Sequence, residues 1–172
     1  LMPTIYKFEQ AAVRLEGASL IGHVNEFELP EVNWESADHE TVGLLGTLQY
    51  PTKVEAMEAT LTWADYSPEL AAAAANPFQG VNLQVRGAFG VYDGPNKVRD
   101  ALGRVTMQGR FMGNPLGSFS SGEYERESVL MIDYVKEEFD GTAYLEFSVN
   151  PPILRYNGGQ NLFAGIRDIL GV

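Results

Sequence analysis

Cysteine is absent from the 172 residues, which excludes disulfides, thiolate metal sites and a cysteine nucleophile. Its absence also fits a chain made in a reducing compartment. Histidine is scarce: His23 and His39 stand apart, without the HExxH spacing of a metal pair. Bases are few, with 12 Lys and Arg against 23 Asp and Glu and a net charge of −11. That balance argues against tight binding to a phosphate backbone, which needs cations to displace counterions. No run of 18 apolar residues occurs, so no membrane-spanning helix is expected. The opening LMPTIYKFEQ lacks the basic, apolar and small-residue order of a signal peptide.

Recognisable catalytic patterns are missing as well. Ser67, Ser118, Ser120 and Ser121 lack a GxSxG setting. The glycine-rich stretch 113–122, GNPLGSFSSG, fits neither a phosphate loop nor a dinucleotide fingerprint. Adjacent Glu137 and Glu138 fall on opposite faces of a strand, and Glu35, Asp38 and Glu40 lack the spacing of a calcium loop. No catalytic, metal-binding or cofactor-binding residue is nominated, and an enzyme is not expected.

What is present is a globular composition, 45% hydrophobic, with β-rich patterning. The most informative stretch is 125–149. Asp140-Gly141 is a hairpin signal, because a type I′ turn needs positive φ at both central residues. The arm before it is long, roughly 40 Å at about 3.3 Å per residue. After it, Ala143, Leu145, Phe147 and Val149 alternate with Tyr144, Glu146 and Ser148. So long a hairpin is either part of an ordinary sandwich or needs neighbours for its edges, from this chain or another copy.

Other strands are expected at 13–16, at 20–29 and at 54–63, the last with Met57, Ala59, Leu61 and Trp63 opposite Glu58, Thr60 and Thr62. Alternation around 81–89 and 104–111 predicts a further antiparallel pair. Ser67 as N-cap, Pro68 at N1 and an alanine run predict a helix over 67–76, stopped by Asn76-Pro77. Residues 31–53 read mostly as a long acidic loop. Leu162, Phe163, Ile166, Ile169 and Leu170 predict a short amphipathic helix closing the domain. The fold class is therefore mainly β with some α, an antiparallel β-sandwich or half-barrel over a single domain, residues 1–172, with one central helix and a short C-terminal helix.

Charge is uneven. Residues 1–76 carry three bases against twelve acids, and residues 77–172 nine against eleven. Glu31, Glu35, Asp38 and Glu40 lie in the acidic segment 26–40; Arg86, Arg104 and Arg110 lie in the basic segment 86–110. These are either two solvated faces or an acidic-to-basic contact between copies, which would favour head-to-tail assembly.

Several runs, taken in order, resemble the major tail tube proteins of contractile phage tails and R-type bacteriocins. They are VRLEGASLIGHV at 13–24, FELPEV at 27–32, VEAMEA at 54–59, the 67–75 helix, YVKEEFDG at 134–141, YNGGQNL at 156–162 and GIRDILGV at 165–172. A departure is Glu31, where relatives often carry a base. The resemblance implies a structural virion protein, without cofactor, that forms hexameric rings stacked into the inner tube of a contractile tail. Long strands would join neighbours in an inter-subunit β-barrel. It implies as partners the sheath, tape measure, baseplate hub and tail terminator proteins, with DNA passing through loosely and no stable membrane insertion. It implies location in a virion assembled in the bacterial cytoplasm. Candidates for the bore are Glu58, Thr60, Thr62, Glu137, Tyr144 and Glu146, whose acids would repel DNA. The acids and arginines named above are candidates for contacts between rings and subunits. A tube of a type VI secretion or extracellular contractile injection system is the alternative, and a monomeric β-sandwich binding module the alternative of another class.

Overall fold

The computed structural model describes residues 2–171. Its strands are β1 (Thr4–Leu15), β2 (Ala18–Ser19), β3 (Val24–Glu28), β4 (Trp34–His39), β5 (Leu48–Val54), β6 (Met57–Trp63), β7 (Val81–Asp93), β8 (Asn96–Gly113), β9 (Ser118–Ser120), β10 (Glu123–Glu125), β11 (Glu127–Phe139), β12 (Thr142–Ser148) and β13 (Ile153–Tyr156). The helices are α1 (Pro68–Ala75) and α2 (Ala164–Leu170).

One antiparallel sheet dominates, in the order β13-β12-β11-β8-β7-β1-β2, with β6 and then β3 branching from β11. The branch arises because β11 changes partner along its length. Glu127–Ile132 pair with β6, and Tyr134–Phe139 pair with β12, while β8 runs along the other edge. The switch falls at Asp133, an extra residue bulged out between the Ile132–Gly109 and Tyr134–Gln108 pairs. Its carbonyl accepts from the Val149 amide at 3.0 Å. A bulge bends and twists its strand, and here it lets one sheet curl around its own core. Leu15, Leu83, Met107 and Phe111 from the β1-β7-β8 side meet Met57, Leu61 and Trp63 of β6 in a single hydrophobic cluster. The curl leaves the sheet an open half-barrel, not a closed one, among the described residues.

Local sequence explains most of these elements. On β6, Met57, Ala59, Leu61 and Trp63 are buried while Glu58 is exposed, as strict alternation requires. Full burial of side chains such as Leu61, Leu130 or Phe111 stabilises by about 1.5–3 kcal/mol each. Trp63 donates its indole N–H to Ser128 Oγ at 3.0 Å, which satisfies the polar atom that so large a buried ring brings in. α1 starts where its cap lies: Ser67 Oγ accepts the Leu70 amide at 3.4 Å, and Pro68 occupies the first turn. Leu70 and Ala74, four residues apart, bury the inward stripe. The β11–β12 turn has Asp140 at φ 52° and Gly141 at φ 84°, the type I′ pattern.

Several boundaries differ from the sequence reading. β1 begins at Thr4, not near Val13, because its first half pairs through backbone with β7 while both its faces stay exposed. Strand structure in 20–29 is confined to Val24–Glu28, and β6 starts at Met57, since Val54 ends β5. Residues 31–53 are not a plain loop: β4 and β5 form their own two-stranded hairpin. Exposure of nearly every residue there erased the alternation that marks a half-buried strand. The 113–122 stretch contains β9, which pairs with β10. α2 does not close the domain; it has no buried residue, and Ile166, Ile169 and Leu170 are exposed. Only Phe163, just before it, packs against the core.

Candidate functional site

The main sheet has two chemically opposite faces. One pairing row, read across β1, β7, β8, β11, β12 and β13, is Leu15-Leu83-Met107-Val135-Phe147-Leu154, wholly apolar and turned to the core. The next row is Arg14-Gln84-Thr106-Lys136-Glu146-Arg155, wholly polar and turned to solvent. A second row on the polar face, Arg86-Arg104-Glu138, extends it. A broad sheet coated on one side by polar side chains held at about 4.8 Å strand spacing is a surface, not a cleft. It offers a lining and no converging reactive groups.

Charges on this face are braced against one another. Arg104 and Glu138 form a tight ion pair, and Lys136 Nζ lies 3.0 Å from the other Glu138 oxygen. Arg104 first, then Lys136, holds the Glu138 carboxyl below the usual carboxylate range. Glu138 in turn raises Lys136. Arg155 reaches Glu146 at 3.7 Å, and the Arg86 Nε donates to Gln84 Oε1 at 2.7 Å. Burial beside Glu146 pushes the Tyr134 phenol up. The face is therefore mixed in charge, with Arg14, Arg86, Arg104, Lys136 and Arg155 beside Glu58, Glu138 and Glu146.

Of the six residues nominated for a bore, five share this face. Glu58, Thr60 and Thr62 on β6 stand opposite Met131, Val129 and Glu127. Glu146 stands opposite Lys136, and Tyr144 is the extra residue of a bulge between the Glu137–Leu145 and Glu138–Ala143 pairs. Glu137 does not join them. It lies in the row Val13-Val85-Val105-Glu137-Leu145, on the core face where the core thins out. The bulge at Asp133 is the reason. Val129, Met131 and Glu137 are all odd-numbered, but one extra residue between them exchanges the faces. Lys136 went unnoticed in the sequence for the same cause.

The acidic candidates sit together at the β4–β5 hairpin. Glu35 pairs with Lys53 at 3.4 Å, Asp38 accepts from Gln49 at 3.0 Å, Glu40 accepts from Thr47 at 2.7 Å, and Glu31 accepts from Asn33 at 3.0 Å. The hairpin root is fixed by Trp34, packed edge-on against Phe147 and Phe163. Its tip carries Val42 and Leu45, both fully exposed. Arg86 and Arg104, nominated for contacts between copies, lie on the polar face. Arg110 is there too, with its guanidinium 3.4 Å from Asp133.

The sheet margin at β1 is open. β2 pairs only with Arg14 and Leu15, and Thr4–Ala11 are exposed with no strand on their outer side among the described residues. The opposite margin is capped: Asn161 Oδ1 accepts the Leu154 amide at 2.9 Å and the Leu154 carbonyl accepts from Leu162 at 2.7 Å. His23 Nδ1 contacts Asp65 at 2.6 Å, tying the start of β3 to the residues before α1, and His39 packs on Tyr50. Among the described residues no helix is long and apolar enough to cross a membrane.

Solved structures share this fold. The chain is similar to a chain in the cryo-EM structure of the sheath/tube terminator of an extracellular contractile injection system, PVC, in its extended state. Identity is 14%, coverage is 75% of this chain and 93% of that one, and the TM-score is 0.55. A chain of the PVC sheath-tube complex in the extended state matches at 14% identity over 80% of this chain and 91% of that one, TM-score 0.54. Among curated proteins none matches. The family of phage tail tube protein FII matches residues 6–171. With the match running through almost every element described above, the chain belongs to the phage tail tube protein FII family.

Proposed function

We propose that this chain is the structural subunit of the inner tube of a contractile tail: copies join side by side into hexameric rings, and rings stack around a continuous bore. The observation that carries the reading is the two-faced sheet with an unpaired margin. A long edge of free backbone groups is an invitation to another strand, and closing strands into a ring removes it. In that arrangement the polar rows through Lys136 and Glu146 line the bore, together with Glu58, Thr60, Thr62 and Tyr144. Their ion pairs are satisfied within each subunit, so the lining offers a passing polymer few free charges. Arg14, Arg86 and Glu58 are the exceptions, two cations and one anion that a passing polyanion would meet unpaired.

The β4–β5 hairpin is the contact to the adjacent ring. It projects from the core, carries Glu31, Glu35, Asp38 and Glu40, and ends in bare apolar residues. The sheath protein would cover the outside, the tape measure protein would fill the bore during assembly, and the baseplate hub and terminator would cap the ends. DNA is the cargo if the particle is a phage. In an injection system built on the same tube, the class the PVC chains come from, the cargo would be protein effectors. No step here requires catalysis or a cofactor.

The test is the mass and shape of the purified protein. Light scattering with negative-stain microscopy should give rings or tubes of constant bore. A monodisperse monomer at all concentrations would overturn the reading and favour a binding module.

A further inference from the structure

Past the end of the core, the same sheet continues as an arm made from the first half of β1, the end of β7, the start of β8 and the tip of the β11–β12 hairpin. Its core-side face carries an aromatic row. Phe8 meets Phe89 at 5.5 Å, Phe89 meets Phe139 at 5.3 Å, and Phe139 meets Tyr6 at 5.2 Å, all edge to face. The rings lie on a bed of glycine: a β-carbon on Gly87 would come 3.2 Å from the Phe89 ring, and one on Gly103 would come 2.7 Å from it. Among the described residues nothing covers Tyr6 and Phe8. Tyr6 is 48% and Phe8 55% exposed, and both stand on the strand whose outer edge is unpaired.

We infer that this row is the seam on which a second copy of the chain seats within the ring. The inference rests on the tube reading and adds to it the residues of the lateral contact. Three observations point to a copy of the chain as occupant. First, the open β1 edge calls for an extended segment, and a head-to-tail ring supplies one from each neighbour. Second, charge marks the limits of the face. At one end the Arg99–Asp140 pair, 2.7 Å, is already neutral. At the other, Glu137 stands exposed in an apolar row with no base within 4 Å among the described residues. A neighbour that covers this face must bring one cation to Glu137, and Lys7, between Tyr6 and Phe8 on β1 and in no ion pair among the described residues, is available. Third, the area is that of one contact in a closed set. At about 150–250 Å² per buried aromatic, the exposed parts of Tyr6 and Phe8 amount to roughly 200 Å². That is about a quarter of the 800 Å² per partner of a standard interface. Two copies alone would hold weakly, and ring closure would multiply the contact.

The experiment compares wild type with Phe8→Lys, Tyr6→Lys and Glu137→Lys by light scattering and microscopy, with circular dichroism and thermal melting on the same samples. Since all three side chains are exposed, folding should be retained. Phe8→Lys and Tyr6→Lys should lose rings altogether, and Glu137→Lys should shift half-assembly to at least tenfold higher concentration. Hydrogen exchange on wild type gives a reading that needs no variant: amides of residues 4–11 should exchange at least tenfold more slowly in the assembled form than in dilute subunit. Wild-type rings with unprotected 4–11 amides, or rings from Phe8→Lys as readily as from wild type, would overturn the seam and leave the tube standing. Failure of wild type to assemble at all would overturn both.

Discussion

Gly109 of β8 lies directly beneath the Met131 carbonyl of β11, so close that a β-carbon at Gly109 would overlap that oxygen and press on Ile132 as well. This contact sits beside the bulge at Asp133, where β11 leaves β6 for β12. Both atoms in conflict belong to backbone or to a buried side chain, so neither can swing aside. Gly109→Ala should destabilise by about 3 kcal/mol or more, at or beyond the upper end of overpacking. Gly46→Ala, with open space around it, should change stability by less than about 0.5 kcal/mol. Thermal melts of the two variants check this; equal melting temperatures would refute the account of the switch.

Glu138 makes stability depend on acid. Its folded pKa is depressed by Arg104 and then Lys136, so its contribution is present in full above the ordinary carboxylate pKa. It is lost as pH falls through the depressed value. Wild type should therefore lose more stability than Glu138→Gln between pH 7 and pH 3. At neutral pH, Glu138→Gln should cost on the order of 1 kcal/mol, about 2–4 °C in Tm for a domain of this size. Melts across the pH range test it.

Ser128 exists to satisfy one atom. Ser128→Ala removes the acceptor for the Trp63 indole and leaves a buried N–H without a partner, which costs about 1–3 kcal/mol. Arg126, stacked 4.1 Å over the same ring, holds the indole in place. The substitution should lower Tm by several degrees without altering assembly of the folded fraction, measured by melting and by light scattering.

The hairpin tip should matter to stacking and not to folding. Replacing Val42 and Leu45 by Ser, or deleting residues 41–46, removes only exposed atoms. Expected are an unchanged Tm and isolated rings in place of long tubes by electron microscopy. Long tubes from the deletion variant would remove the hairpin from the contact between rings.

How much of this was legible in the sequence follows burial. α1 was readable to the residue because Ser67, Pro68 and the alanine run act locally. The β11–β12 turn was readable because Asp140 and Gly141 leave few other conformations. β6 was readable because one of its faces is buried and the other is not. Signals failed where both faces meet water: the start of β1 and the whole β4–β5 hairpin are exposed on both sides, so no apolar-polar alternation marks them. They failed again at Asp133, since a bulge is one unmarked residue that exchanges faces for everything after it. That is why Glu137 was read into the polar face while Lys136, which stands there, was not. α2 was found but misassigned, because an amphipathic pattern shows that a helix has an apolar face and not what lies against it.

The most direct test is a cryo-EM reconstruction of the assembled protein at side-chain resolution. It should show the row Arg14-Gln84-Thr106-Lys136-Glu146-Arg155 turned to a central bore, with the outer edge of Thr4–Ala11 hydrogen-bonded to the next subunit. Tubes with that row on their outer surface, or with the β1 edge still facing solvent, would contradict the account.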